Sequence, residues 1–318
     1  MAVISFRGSG FFITKAPPQR WNLTKERGKT MDIYQTVTDK IISLLEQGTV
    51  PWRKPWATVH GMPKNLITGK EYRGVNIFLL GCQQYSSPYW LTYKQAQEKQ
   101  GNVKRGEKSS MVVFWKLLEK DNPGQDDKAS GKIPLLKYYS LFNLEQTEGI
   151  PSPEFDAPVF PFTPVERAER IVQNMPNRPE ITYGGNRASY TPASDTIRMP
   201  YQERFEKSEE VYSVLYHELA HSTGHKSRLA RKEVMETNAF GSESYGNEEL
   251  VAELASSMLC GVAGISNQTI DLAASYLDGW LSVLKKDKKL IIVAAAQAQK
   301  AADYILNCKF GTEEQHAL

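Results

Sequence analysis

The sequence predicts an α+β protein built as two domains, on three observations. Pro151, Pro153, Pro158, Pro161 and Pro164 crowd residues 149–164, and proline neither continues a helix nor donates to a ladder, so this stretch reads as an extended linker. Before it, Ser110–Leu118 and Ile133–Phe142 read as two strands joined by a polar loop at 121–131. After it, short β segments give way to amphipathic helices, and a small sheet followed by packed helices is an α+β order. The expected division is an extension at 1–30, a first domain at 31–148, the linker, and a second domain at 165–318.

Residues 1–30 carry Arg7, Lys15, Arg20, Lys25, Arg27 and Lys29 against one acid, Glu26, with no clear periodicity. They read as a flexible basic extension with Met31 as an alternative start, or as an ordered arm. From Met31, Ile33, Val37, Ile41, Leu44 and Leu45 recur at helical spacing, with Asp32 placed to cap and Gly48 to stop the helix. In the second domain a helix is expected at Val165–Met175, then strands at Ile181–Tyr183, Ala188–Thr191 and Thr196–Met199. The strand at 196–199 stands where an edge strand could pair with an extended peptide, or where a hairpin is merely structural. Helices are expected at 208–223, 247–262, 269–286 and 288–307, the first capped by Ser208 and ended by Gly224.

Composition narrows the class. The 318 residues are 41% hydrophobic and 24% charged, which excludes wholesale disorder. The longest apolar run, Leu290–Ala296, falls far short of the roughly 20 residues of a membrane helix, so no membrane partner is expected. Three widely spaced cysteines, Cys82, Cys260 and Cys308, form no disulfide framework and fit a reducing bacterial cytoplasm. Charge is lopsided: residues 1–150 hold 22 Lys+Arg against 13 Asp+Glu, the remainder 17 against 23. Five of the six tryptophans also lie in the basic half. A basic aromatic half and an acidic half suggest two tasks.

His217-Glu218-Leu219-Ala220-His221 carries the strongest chemical signal. On a helix, positions i and i+4 share a face, so both imidazoles reach one ion. Glu218 is then placed to take a proton from the attacking water and pass it to a leaving amine. Zinc is the expected metal, with other divalent ions as the alternative, since imidazoles plus a carboxylate are its usual catalytic set. Glu249 and Glu253 are again i and i+4; Glu249 is read as the third ligand and Glu253 as the hydrogen-bond partner behind a ligating imidazole. Glu248 points about 100° away and reads as a solvated acid. His225 is the rival third ligand, and Tyr245 a possible oxyanion donor.

Between 51 and 116 there are 11 Lys+Arg against 3 Asp+Glu, interleaved with aromatics. Cations neutralise phosphates and flat rings stack on unpaired bases, so single-stranded nucleic acid is the partner this mixture suits. The residues assigned to it are Trp52, Arg53, Lys54, Trp56, Tyr72, Arg73, Lys94, Lys104, Arg105, Lys108 and Trp115. Strand alternation allows only some of Val112–Trp115 to face outward, and a solvated basic face over an aromatic core is the alternative.

Asp32, Trp52–Trp56, Asn65, Gly69–Asn76, Lys104–Lys108 and Phe142–Asn143 together resemble the N-terminal domain of ArdC-type antirestriction proteins, which is shared with TraC-type plasmid primases. His217–His225 with Arg228, Leu229 and Arg231, and then Glu249–Glu253, are similar to that family's zincin-like metallopeptidase domain. The resemblance covers about 31–307. It implies single-stranded DNA binding, a metal-dependent peptidase acting on an unidentified protein substrate, and protection of incoming plasmid DNA from restriction during conjugation. No primase catalytic half is evident.

Overall fold

The computed structural model describes residues 32–53, 61–83, 85–119, 132–153, 162–235, 243–265 and 274–308. Residues 1–30, the loop at 121–131 and most of the proline run lie outside the described residues. Residues 31–318 form one compact unit.

The helix α1 (Ile33–Glu46) begins as expected: Asp32 caps it, its Oδ1 accepting from the Gln35 amide at 3.2 Å. Val37, Ile41 and Leu45 form its buried stripe. A 3-10 turn (Pro51–Arg53) follows, then β1 (Lys64–Asn65), α2 (Val75–Gly81), β2 (Tyr89–Leu91), α3 (Tyr93–Glu98), β3 (Asn102–Val103), β4 (Ser110–Glu119), β5 (Lys132–Asn143) and β6 (Thr147–Glu148). One sheet has the order β1-β2-β5-β4, parallel between β1 and β2 and antiparallel elsewhere. β3 and β6 pair separately. The long β4–β5 ribbon keeps one register from Ser110↔Leu141 to Glu119↔Lys132. Its outer edge is closed by a side chain: Asn76 accepts from the Val113 amide at 2.7 Å and donates to the Val113 carbonyl at 2.8 Å. The buried amide of Asn76 thereby satisfies strand groups that a further strand would otherwise pair.

In the second half, α4 (Pro164–Asn174) starts with a capping box between Thr163 and Glu166 and a proline in its first turn. β7 (Glu180–Tyr183), β8 (Ser189–Thr191) and β9 (Thr196–Met199) form a sheet in the order β7-β9-β8. β9 is therefore central, paired on both sides, so of the two readings of 196–199 the structural one holds; β8 is an edge strand, and both β8 and β9 touch the next helix. That helix is α5 (Ser208–Ser222), followed by α6 (Lys232–Met235), α7 (Glu243–Ala263), α8 (Ala274–Lys286) and α9 (Leu290–Ile305). Ser208 is the first helical residue of α5 rather than its cap; Lys207 holds the cap position and supplies no side-chain bond.

Val37, Ile41, Trp52, Phe78, Val113 and Leu136 from the first half share one core with Leu250, Leu254, Trp280, Ile291 and Ala298 from the second. Trp52 packs edge-on against Trp280, centroids 5.2 Å apart. Across the same seam Ser257 donates to the Trp52 carbonyl, Gln299 accepts from the Gly74 amide at 2.9 Å, and Arg73 pairs with Asp303. Among the described residues no helix is long and apolar enough to cross a membrane.

Candidate metal centre and nucleic-acid surface

α5 and α7 lie close because the positions between them are small: Ala220, Ala252 and Ala255 are fully buried. Ser256 Oγ donates to the Ser213 carbonyl at 2.9 Å and fixes their relative height. This brings His217 and His221 opposite Glu249. The two Nε2 atoms stand 3.1 Å apart, and the Glu249 oxygens lie 3.4 Å from His217 Nε2 and 3.5 Å from His221 Nε2. Ligands about 2.0–2.1 Å from a tetrahedral ion are roughly 3.3 Å apart, so this donor set fits a metal of that size. It is the one group of three or more metal-ligating side chains found among the described residues.

Each imidazole is held from behind. Nδ1 of His221 faces Oε1 of Glu248 at 3.2 Å. Nδ1 of His217 faces Oε2 of Glu253 at 3.6 Å, slightly beyond a normal hydrogen bond, so that contact is mainly electrostatic. Both rings thus turn Nε2 to the centre and Nδ1 to a carboxylate, the orientation that a ligating histidine needs. Burial opposes charge on His217, but Glu249, Glu253 and Glu218 outweigh it and hold the imidazole well above its usual pKa. The site draws positive charge inward. Glu218 is buried beside these groups on α5.

Glu248 corrects the sequence expectation. It is 6% exposed, not solvated. Arg231, itself buried, donates from Nε to its Oε2 at 2.9 Å and from Nη2 to its Oε1 at 2.6 Å. Burial pushes the Glu248 carboxyl up, but the hydrogen bonds from His221 and Arg231 outweigh it and hold it below the usual carboxylate range. Arg231 also donates to Thr223 Oγ1 at 2.6 Å and to the Ala220 carbonyl at 2.8 Å, sealing the C-terminal end of α5. Gly224 permits this approach: a Cβ there would lie 2.4 Å from Val234 Cγ2. The signal for Glu248 was in the sequence, since Leu250–Cys260 is apolar nearly all round and such a stretch of helix is buried. His225 lies beyond the end of α5, its Nδ1 2.8 Å from Ser227 Oγ, outside the cluster. The Tyr245 side chain lies outside the described residues.

The expected DNA residues divide. Lys104 and Arg105 are exposed on the turn after β3, and Lys94 is exposed on α3, 3.5 Å from Glu98. Lys108 is half-buried. Trp52 and Tyr72 are corrected to core residues: Trp52 is fully buried, and the Tyr72 hydroxyl accepts from Asn65 at 3.3 Å beneath the surface. Arg73 is corrected too, since its guanidinium is spent on Asp303 rather than displayed. Trp115 lies on the core side of the ribbon against Tyr34, centroids 6.2 Å apart. Lys54, Trp56 and the side chain of Arg53 lie outside the described residues.

Residues 31–142 match the family model described as the N-terminal domain of anti-restriction factor ArdC, and residues 166–297 match that of a zincin-like metallopeptidase. The chain is 36% identical to a DNA primase TraC of Escherichia coli over 296 residues, covering 86% of this chain but 27% of the primase. It is 35% identical to the uncharacterized protein y4eC of Sinorhizobium fredii, covering 86% of this chain and 91% of that protein. Crystal structures of the antirestriction protein ArdC from plasmid R388 match with a TM-score of 0.69. The metal-free form is 36% identical, covering 88% of this chain and all of that one. The Mn(II)-bound form is 37% identical, covering 87% and 98%.

Proposed function

This chain belongs to the ArdC antirestriction family, and we propose that it is a single-stranded DNA-binding protein carrying a working metallopeptidase centre. The observation that carries the peptidase reading is the arrangement of His217, His221 and Glu249, three donors 3.1–3.5 Å apart with a buried carboxylate behind each imidazole. A divalent ion held by these three donors supplies Lewis acidity to a carbonyl and makes water more acidic at neutral pH. The Mn(II)-bound relative supports a divalent ion here, and the nitrogen-rich donor set favours zinc.

The chain's own residues supply the rest. Glu218, next to the first histidine on the same helix, takes the proton of the attacking water and returns it to the leaving amine. Glu253 and Glu248 keep the two imidazoles in one tautomer and one orientation. The basic first half delivers the centre to proteins on incoming DNA, which places the activity in plasmid establishment.

The test compares wild type and Glu218→Gln, at matched metal content, for cleavage of a protein panel with and without single-stranded DNA. Cleavage stimulated by DNA and lost in Glu218→Gln is the expected result. Antirestriction left intact by Glu218→Gln would replace the peptidase reading with one in which the protein masks DNA.

A further inference from the structure

The β4–β5 ribbon has two faces of different character, and strand alternation assigns its residues between them. Val113 and Leu136, with Trp115 beside them, face the core shared with the second half. Val112 and Leu141, with Phe114 beside them, face the other way, into a separate cluster with Tyr72, Leu80, Tyr85 and Trp90. On that second face the rings form a row. Phe114 stands 6.2 Å from the buried Tyr72 and 5.6 Å from Tyr139, centroid to centroid. Tyr72 closes one end, whereas Tyr139 is 46% exposed at the other. Lys137 is the register partner of Phe114 and so shares its face.

The basic turn at 104–108 is anchored to Glu145 and Gln146, just past the end of β5. Gln146 Nε2 donates to the Lys108 carbonyl and to Glu107 Oε2, both at 2.9 Å, and Lys104 Nζ donates to the Glu145 carbonyl at 2.8 Å. Tyr85, packed edge-on against Trp90 at 5.5 Å, lies close enough to Glu107 and Glu145 to feel their charge. Lys104 and Arg105 remain exposed beside it.

Resting on the nucleic-acid reading above, we propose that single-stranded nucleic acid crosses this outer sheet face. Its bases stack on Tyr139 and the open edge of Phe114, and its phosphates are held by Lys137 and the Lys104–Arg105 turn. Rings on a sheet surface beside cations suit unpaired bases, because every base offers a flat face whatever its identity. The excess of positive charge between 51 and 116 matches a polyanion rather than a protein partner. Tyr138 is the internal control. It is 41% exposed, almost as open as Tyr139, yet it pairs with Val113 and faces the opposite side.

The experiment is fluorescence anisotropy of a labelled oligothymidylate with the full chain over a range of salt concentrations. Tyr139→Ala is expected to bind roughly tenfold more weakly, while Tyr139→Phe and Tyr138→Ala bind as wild type. Lys137→Ala is expected to reduce the salt slope by about 0.7. Loss of binding in Tyr138→Ala with Tyr139→Ala unchanged, or unchanged binding in both Tyr139→Ala and Lys137→Ala, would overturn the proposed face while leaving nucleic-acid binding standing. Wild type that binds no oligonucleotide would overturn the nucleic-acid reading itself, and this face with it.

Discussion

Arg231 grips Glu248 through two hydrogen bonds, 2.9 Å from Nε and 2.6 Å from Nη2, and Glu248 in turn stands 3.2 Å behind His221. The guanidinium is buried, and its hydrogen bonds go to Glu248, Thr223 Oγ1 and the Ala220 carbonyl. It governs an imidazole through the carboxylate between them, and it does so from a segment that also closes the end of α5.

Arg231→Met removes one partner of a buried pair and leaves the Glu248 carboxylate without its counter-charge. Breaking a buried ion pair in this way costs about 3–5 kcal/mol. Loss of the orientation behind a ligating histidine lowers metal affinity by roughly 10- to 100-fold. Urea denaturation and competition with a chromogenic chelator measure the two effects separately. Arg231→Lys should recover part of the stability but not the bidentate geometry.

Gly224→Ala tests the approach of α6 to the end of α5. The added methyl would meet Val234 Cγ2 at 2.4 Å and its Cβ at 2.7 Å, so one segment must move. Overpacking of this kind costs about 1–3 kcal/mol. Because Arg231 precedes α6 directly, metal affinity should fall together with the thermal midpoint. A midpoint that drops while affinity holds would show that Arg231 keeps its place independently.

Trp52→Ala should behave as a core mutation. Its ring is fully buried between Phe78 and Trp280, and truncating such a side chain costs about 3–5 kcal/mol. Chemical denaturation reads the loss. At a temperature where the variant remains folded, its affinity for single-stranded DNA should match wild type; a selective loss of binding in folded protein would return Trp52 to the nucleic-acid surface.

Cys260 should be chemically silent in the native state. It is 1% exposed, and burial pushes its thiol up to about 12, so almost no thiolate exists at neutral pH. With iodoacetamide near pH 8, mass spectrometry is expected to find Cys308, which is exposed, labelled well before Cys260. In urea the difference should vanish.

The sequence made the candidate metal cluster legible because its signals are local. His217 and His221, and again Glu249 and Glu253, are four apart, and helical periodicity alone puts each pair on one face. The helices around them start and end within a few residues of expectation. What stayed hidden depended on partners far away in the chain. Trp52 owes its burial to Trp280, and Arg73 its ion pair to Asp303, 230 residues on. Basic and aromatic composition cannot distinguish a ring that stacks on a base from one that fills a core. Alternation puts Phe114 and Trp115 on opposite faces of β4, but only packing against the second half decides which of them meets the shared core. Glu248 was misjudged because a position about 100° from the stripe of Glu249 and Glu253 is solvated only if the helix has a wet side, and α7 has none from Leu250 to Cys260.

The seam between the halves makes each a cover for apolar surface of the other. A recombination event at the proline-rich stretch would leave Trp52 and Val113 bare on one fragment, and Trp280 and Ile291 bare on the other. Neither fragment could travel alone into a new gene without an apolar scar.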